Sequence, residues 1–395
     1  MLGIWLMEIL TGIGKLFLNP LFYWIIVLLA LMGWRRIKKE RRQFGTKIYP
    51  FFTECQGTMF ISIVFSIIIS LVAILVGMVM SFEAIVLFVI VTIIVSMTGR
   101  TSLLSASYTL GITFVLLLLL PYVNIGPLEA YVNFQDVTII QLLTLTLLMS
   151  LLLFAEALLV STKKGATFPE IELGSRGKWI GQHRIKRAVF IPFFVLLPVG
   201  QADLVLPVFP YFEVAGTGYS LILLPFIIGT NYTVRGELPV QAIKKLGLAT
   251  WLVSVIVLLI TLVSFYFPYV SIIAFLVAII GKEWITYHFK KKDKYKRAIF
   301  TPLDEGVKVL ALLPGSPAHR LEIKVGETIK KVNGQPIKTV NAFYEALQNS
   351  GAFFKLDIID LQGEVRFIHS ALYEEDHHEL GVIFVESQSK YEDIE

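Results

Sequence analysis

Apolar runs of about 17 residues or more recur through the first three quarters of the chain, and in water a run of that length has few stable destinations besides a bilayer core. The first such run is the most instructive. Residues 16–34 are almost unbroken apolar sequence, end at Trp34, and are followed at once by Arg35, Arg36, Lys38, Lys39, Arg41 and Arg42. Indole rings favour the membrane–water interface, and lysine and arginine concentrate on the cytoplasmic side, where they face anionic lipid. A secretory signal carries its charge ahead of the apolar core. Here the charge follows, so the segment is expected to remain as a span, with those cations as candidate contacts to the membrane surface.

Further spans are expected at residues 58–80, 82–97, 103–123, 138–160, 248–268 and 270–287. The apolar stretch 188–232 is broken by Pro192, Pro198, Pro207, Pro210 and Pro225, and reads as two short spans or as one span with a re-entrant piece. The total is about seven to nine crossings. Only 16% of the 395 residues are charged and 55% are hydrophobic, against about 25% charged in a soluble globular domain. The loops 35–47, 161–187, 233–247 and 288–298 are basic, whereas 124–137 holds Glu129 and Asp136 with no lysine or arginine. Placing every basic loop inside gives one consistent alternation, with the chain after Tyr287 cytoplasmic and the short N-terminus outside.

Nothing in the membrane region calls for chemistry. Glu156 is the clearest acid within a span, and its expected role is to reach headgroup water or a neighbouring helix. No pairing of acids with bases is visible between spans, so a transporter is unsupported. The His-Glu-x-x-His pattern that sets two imidazoles on zinc is missing, since His378-Glu379 is followed by Val382 where the second histidine belongs. Ser96, Ser102, Ser105 and Ser107 have no histidine nearby, and the single cysteine, Cys55, excludes a disulfide framework. His377 and His378, among Glu374, Glu375, Asp376 and Glu379, read as an exposed polar turn. The chain is therefore expected to be no enzyme, with no cofactor, no metal and no nucleic-acid partner.

After Tyr287 the composition changes abruptly. Lys290, Lys291, Lys292, Lys294, Lys296 and Arg297 make residues 288–297 a basic juxtamembrane linker, and each such charge gains about 1 kcal/mol beside an anionic leaflet. Residues 298–370 then show short alternating strands and turns. Val307, Val309 and Ala311 alternate with Lys308 and Leu310 and run into Pro314-Gly315-Ser316-Pro317-Ala318. Gly326 precedes a strand at 328–332, Asn333-Gly334 signals a tight hairpin, 341–349 reads as a helix, and Gln362-Gly363 joins two last strands. The combination of Pro-Gly-Ser-Pro-Ala, Gly-Glu and Val-Asn-Gly in this order resembles a bacterial PDZ domain. Glu322 stands where that family often has glycine, and Glu327 replaces its usual aspartate.

The resemblance implies a groove between a strand and a helix that takes an extended peptide. Val340, Phe343, Tyr344 and Leu347 are its candidate helix residues. Phe300 lies where the carboxylate-holding loop is expected, but Ala298-Ile299-Phe300 lacks glycine. Glu379-Leu380-Gly381-Val382-Ile383-Phe384 looks more like that turn and strand, which makes Gly381 a further candidate. Two readings follow for residues 380–385 within the acidic tail 371–395. Either the strand closes the domain in a permuted order, or it packs on the sheet and fills the groove.

The sum is a polytopic α-helical membrane protein, residues 1–287, with a cytoplasmic α+β PDZ-like domain at its C-terminus. Asn19-Pro20-Leu21-Phe22-Tyr23, the basic stretch 34–43 and the multi-span body ending in a PDZ-like tail together resemble the MinJ family of cell-division topological determinants in Bacillus and its relatives. The resemblance implies a scaffold bridging the coiled-coil marker of poles and septa (DivIVA) to the membrane-associated Min ATPase (MinD), which localises the division inhibitor MinC. It also implies a multi-pass protein of the cell membrane, enriched at septa and poles, that meets anionic lipids and other division proteins and leaves self-association open. A PDZ-containing membrane protease or its regulator is the main alternative, and a transporter with a regulatory tail is the third.

Overall fold

The computed structural model describes residues 2–122, 139–162, 167–174, 177–198, 212–214, 217–350, 353–371 and 380–385. The loop with Glu129 and Asp136, Pro207, Pro210 and the His377–His378 turn lie outside them. Helix α1 (Leu2–Leu16) gives way to α2 (Pro20–Phe44) at a break defined by Asn19, whose side chain accepts from Leu21 N at 3.0 Å. Pro20 follows at the first helical position, where its missing N–H costs nothing. The first span therefore starts later than its apolar run, and its helix continues through the basic stretch to Phe44.

The bundle is completed by α3 (Met59–Val76), α4 (Phe82–Met97), α5 (Ala106–Leu119), α6 (Ile139–Ser161), α7 (Pro239–Ser264) and α8 (Val270–Tyr295). Among the described residues, α2, α3, α6, α7 and α8 are long and apolar enough to cross a membrane, while α4 and α5 are shorter. Isoleucine and valine crowd α3, and they are mediocre helix formers in water. In hydrocarbon, however, a helix is how a single segment pairs all its own backbone groups. α8 runs on to Tyr295, so the expected linker at 288–297 is mostly helix. The Asp293 carboxylate accepts from Arg235 N at 3.0 Å and Gly236 N at 2.9 Å, which ties that helix end to the turn before α7.

The proline-broken stretch departs most from expectation. Its described residues form strands and no transmembrane or re-entrant helix. After β1 (Phe168–Leu173) come β2 (Trp179–Phe190), β3 (Phe193–Pro198), β4 (Phe212–Val214), β5 (Thr217–Leu224) and β6 (Ile227–Val234). One sheet runs β1-β2-β6 and another β3-β5-β4, all antiparallel. Ile191 N donates to Phe226 O at 2.8 Å between them, so β2–β3 and β5–β6 form one long ribbon kinked at Pro192 and Pro225. Proline lacks a donor and clashes with a preceding helical turn, which makes short extended runs the cheaper solution.

That ribbon lies along α3, and the helices satisfy its backbone. Ser62 Oγ donates to Phe190 O, Phe194 N donates to Ser70 Oγ at 3.0 Å, and Leu196 N donates to Met78 O at 3.0 Å. On the β5 side, Lys15 of α1 donates to Ser220 and Glu8 accepts from Leu221 N at 3.3 Å. Phe226 stacks on Phe88 of α4, with ring centroids 5.6 Å apart.

The bundle also holds an ion pair that contradicts the expected absence of paired charges. Glu156 of α6 is fully buried and bonds to Lys282 of α8. Ser105 Oγ donates to the other carboxylate oxygen at 2.6 Å, and the ammonium reaches Tyr232 Oη at 2.9 Å. Arg187 of β2, also buried, caps α6 by donating to Leu159 O and Val160 O at 2.8 and 3.0 Å.

The C-terminal region folds as β7 (Val307–Leu312), α9 (Pro317–Arg320), β8 (Thr328–Val332), β9 (Gln335–Pro336), α10 (Val340–Gln348), β10 (Phe353–Ile359), β11 (Val365–Ala371) and β12 (Val382–Phe384). The sheet order is β11-β10-β8-β7-β12, with β9 beside β8. Asn333 and Gly334 take φ of 48° and 82° in the hairpin turn. Glu322 also has a positive φ, 55°, the conformation a glycine adopts without strain. Glu327 is buried and meets Arg366 at 2.9 Å.

Removing one member of the α6–α8 pair should cost far more than removing both. The Lys282→Met variant strands a carboxylate and is expected to lose about 3–5 kcal/mol of stability, while Glu156→Leu/Lys282→Met recovers most of it. Denaturant unfolding in detergent micelles measures the difference. Equal losses in the single and double variants would refute the pairing.

Candidate functional site

The C-terminal strand builds the site. Gly381 takes φ 76°, and a Cβ there would collide with Ser316, whose Oγ would lie 2.7 Å away. Its carbonyl accepts from Leu313 N at 2.8 Å, and that of Leu380 accepts from Ala318 N at 3.0 Å. The Leu380-Gly381 turn is thus laced to the Pro-Gly-Ser-Pro-Ala loop. From it β12 pairs antiparallel with β7, Val382 opposite Leu312, and ends the sheet. Residues 382–384 thus form the edge strand of the sheet.

Helix α10 lies over β12. Its cap is Thr339, whose hydroxyl accepts from Ala342 N at 3.2 Å. Val340, Phe343, Ala346 and Leu347 form its buried stripe. The Phe343 ring meets Phe384 edge-on at 5.1 Å, and Tyr344 Oη donates to Val382 O at 3.2 Å. This corrects the expected groove. Phe343, Leu347 and Val340 are core residues at 0%, 2% and 8% exposure, because the same stripe that marks a groove helix also holds it to its sheet. Tyr344 stands at the cleft and Gly381 shapes its turn. Beyond Val385 the cleft opens into a cavity of about 330 Å³, lined by Leu303, Val307, Lys308, Lys338 and Val340 among others. A strand edge, an apolar floor and two lysines suit an extended segment with acidic side chains.

Phe300 is not in that cleft. It is fully buried between the C-terminal domain and the β1-β2-β6 sheet, together with Ile171, Leu310 and Val385. Gly181 N donates to Phe300 O at 2.7 Å, and a Cβ on Gly181 would come within 2.7 Å of Leu310 and Val385. His183 seals this dock. Its Nε2 donates to Leu310 O at 2.9 Å, and its Nδ1 lies 3.2 Å from the Thr167 hydroxyl, so the neutral ring is satisfied at both nitrogens. Burial pushes its pKa down to about 4, against those two hydrogen bonds. No sequence signal marks Gly181 or His183, because the dock joins segments far apart in the chain.

The basic candidates divide sharply. Arg36 is buried, bonding Glu40 at 2.6 Å and Glu54 at 2.9 Å, so it is a structural residue and not a membrane contact. Lys39 pairs with Glu170 at 2.8 Å, and Lys296 with Glu237. Arg35, Lys38, Arg41, Arg42, Lys290, Lys291, Lys292, Lys294 and Arg297 are exposed. Among the described residues no cluster of three metal-ligating side chains occurs.

Residues 308–356 match the PDZ domain family. Over 391 residues the chain is 29% identical to the cell division topological determinant MinJ of Bacillus subtilis (strain 168), covering 99% of this chain and 98% of that one. It is 22% identical over 387 residues to probable cell division topological determinants MinJ of Lacticaseibacillus paracasei and Lacticaseibacillus casei (strain BD-II), covering 93% of this chain and 96% of each relative. Over nearly its whole length the chain is similar to the MinJ proteins. In keeping with that likeness, its PDZ match and its apolar helices, it is a multi-pass membrane protein with a PDZ domain, non-enzymatic, with a scaffolding role in cell-division site selection.

Two outcomes are expected. Phe343→Asp or Leu347→Asp should unfold the PDZ domain and not merely empty a groove, seen as rapid proteolysis after residue 300 in membranes; a folded, protease-resistant variant would count against their core placement. The dock should also weaken with acid. Because the docked pKa of His183 lies below its ordinary 6.5, full stability is present above about pH 6.5 and is lost as pH falls towards 4. The loss approaches about 3 kcal/mol. Hydrogen exchange at Phe300 and Leu310 reports it, and a His183→Gln variant should flatten the profile.

Proposed function

We propose that the protein is a membrane-anchored adaptor joining a DivIVA-like coiled-coil marker of septa and poles to a MinD-like ATPase, so that a MinC-type inhibitor is held where division has already occurred. The observation that carries the reading is the docked PDZ domain. Its α10–β12 cleft is held on the basic end of the helix bundle, at a fixed place on the membrane, which suits meeting partners that also reside there. Confinement to the surface raises effective concentration, so a cleft of modest affinity suffices. The positive-inside rule puts that end in the cytoplasm. The exposed Arg41, Arg42, Lys290, Lys291, Lys292 and Lys294 would add attraction to anionic lipid.

A fluorescent fusion in dividing cells tests the reading, with and without residues 298–395 and beside a labelled Min ATPase. Septal and polar enrichment of the fusion, with the ATPase dispersed when the protein is removed, is the expected result. Uniform membrane signal and an undisturbed ATPase would sink it.

A further inference from the structure

A second cavity, of about 190 Å³, lies between the basic turns of α2 and the β1–β2 edge. Arg35, Arg36, Lys39, Arg184, Lys186 and Thr101 are among its lining residues. Their charges do not balance within the protein. Arg36 takes up Glu40 and Glu54. Glu170 is shared between Lys39 at 2.8 Å and Arg184 at 3.1 Å. Lys186 donates to Met32 O at 3.3 Å, and its sole carboxylate neighbour among the described residues is the already engaged Glu54, at 3.8 Å. Arg35 has no carboxylate within ion-pair distance among the described residues. Five cations thus face three carboxylates.

Two further observations point to a missing anion. Thr101 is 4% exposed, yet its hydroxyl meets no partner, and neither does Arg184 Nε. Lys186 is held below the usual lysine range by burial first, with Arg184 and Arg36 adding to the effect against Glu54. A bound anion would supply acceptors to the first two and relieve the third. The depth is informative as well. Trp34, which immediately precedes Arg35, is 53% exposed, and the Lys38 ammonium sits 5.3 Å from its ring centre. An exposed indole beside lysine marks the interfacial layer, where phosphates of lipid headgroups reside.

We infer that this cavity is a binding site for the phosphate of an anionic glycerophospholipid, held by Arg35, Lys39, Arg184 and Lys186. Guanidinium forks match phosphate oxygens in pairs, which distinguishes a built site from diffuse surface attraction. The inference rests on the membrane reading of the helices and is independent of which proteins the chain bridges.

The test uses the full chain in non-ionic detergent, titrated with dihexanoyl phosphatidylglycerol, dihexanoyl phosphatidylcholine or glycerol 3-phosphate, and read by native mass spectrometry and thermal shift. Phosphatidylglycerol should bind and stabilise while phosphatidylcholine does not. Arg35→Gln/Arg184→Gln should weaken it about tenfold, and Lys324→Gln/Lys331→Gln, which removes equal charge from exposed positions of the PDZ domain, should leave it unchanged. Arg35→Gln alone, at an exposed residue, serves if the double variant misfolds. Equal binding in all variants, or loss only in the PDZ-domain variant, overturns the site. Glycerol 3-phosphate binding as tightly, with the same dependence on Arg35, overturns the lipid assignment in favour of a soluble phosphate.

Discussion

An extended ribbon inside a helical membrane bundle creates the constraint that organises this protein. Hydrocarbon offers no partner for a backbone N–H or carbonyl, so a strand at that depth survives only where protein supplies one. Each side of the β2–β3 and β5–β6 ribbon is provided for. The strands pair with one another, Ser62 and Ser70 of α3 serve one edge, and Glu8 and Lys15 of α1 serve the other. These polar residues interrupt otherwise apolar helices because the ribbon needs them. The break at Asn19-Pro20 has the same logic, since it separates α1, packed on β5, from the span that follows.

The ribbon in turn couples the membrane to the PDZ domain. Its basic end becomes the β1-β2-β6 sheet, where Arg187 caps α6, Tyr232 meets Lys282, and Lys186 approaches Glu54 beside Arg36. The opposite face of that sheet carries Gly181 and His183 against Phe300 and Leu310. Asp293 fixes the end of α8 just before the chain enters the PDZ domain. Ion pairs of this kind stabilise little against an apolar alternative, but breaking one is costly, and so they specify one arrangement over others.

The spans and the PDZ domain were legible because their signals are local. An apolar run of span length admits few outcomes, and Asn333-Gly334 or the Pro-Gly-Ser-Pro-Ala loop dictates its own backbone. The ribbon was not legible for the same reason. Between its prolines stand runs such as Phe193–Pro198 and Thr217–Leu224, too short for periodicity to separate a buried strand from a buried helix. Arg36 was misread because a run of cations looks uniformly solvated, and only the fold brings Glu54 beside one of them. Lys282 escaped notice near the basic end of its helix, where a lysine ordinarily reaches water. Phe343 and Leu347 show the limit of an amphipathic stripe, which reveals that a face is covered but not by what.

The strand β12 is where these threads meet. Val382 and Phe384 point into the PDZ core against Phe343, while Ile383 and Val385 belong to the dock on Gly181. Its free edge carries Val382 O, taken by the Tyr344 hydroxyl. A strand of three residues therefore has one face in the domain, the other on the membrane sheet, and its edge in the cleft. Alternation at period two makes this unavoidable, since neighbouring side chains must leave a strand on opposite faces. A segment adding to that edge would first displace the Tyr344 hydroxyl, and any shift of β12 would be felt by both packed faces at once. A PDZ domain on a loose tether has no such coupling. Here the cleft and the membrane sheet share a wall, and that wall is β12.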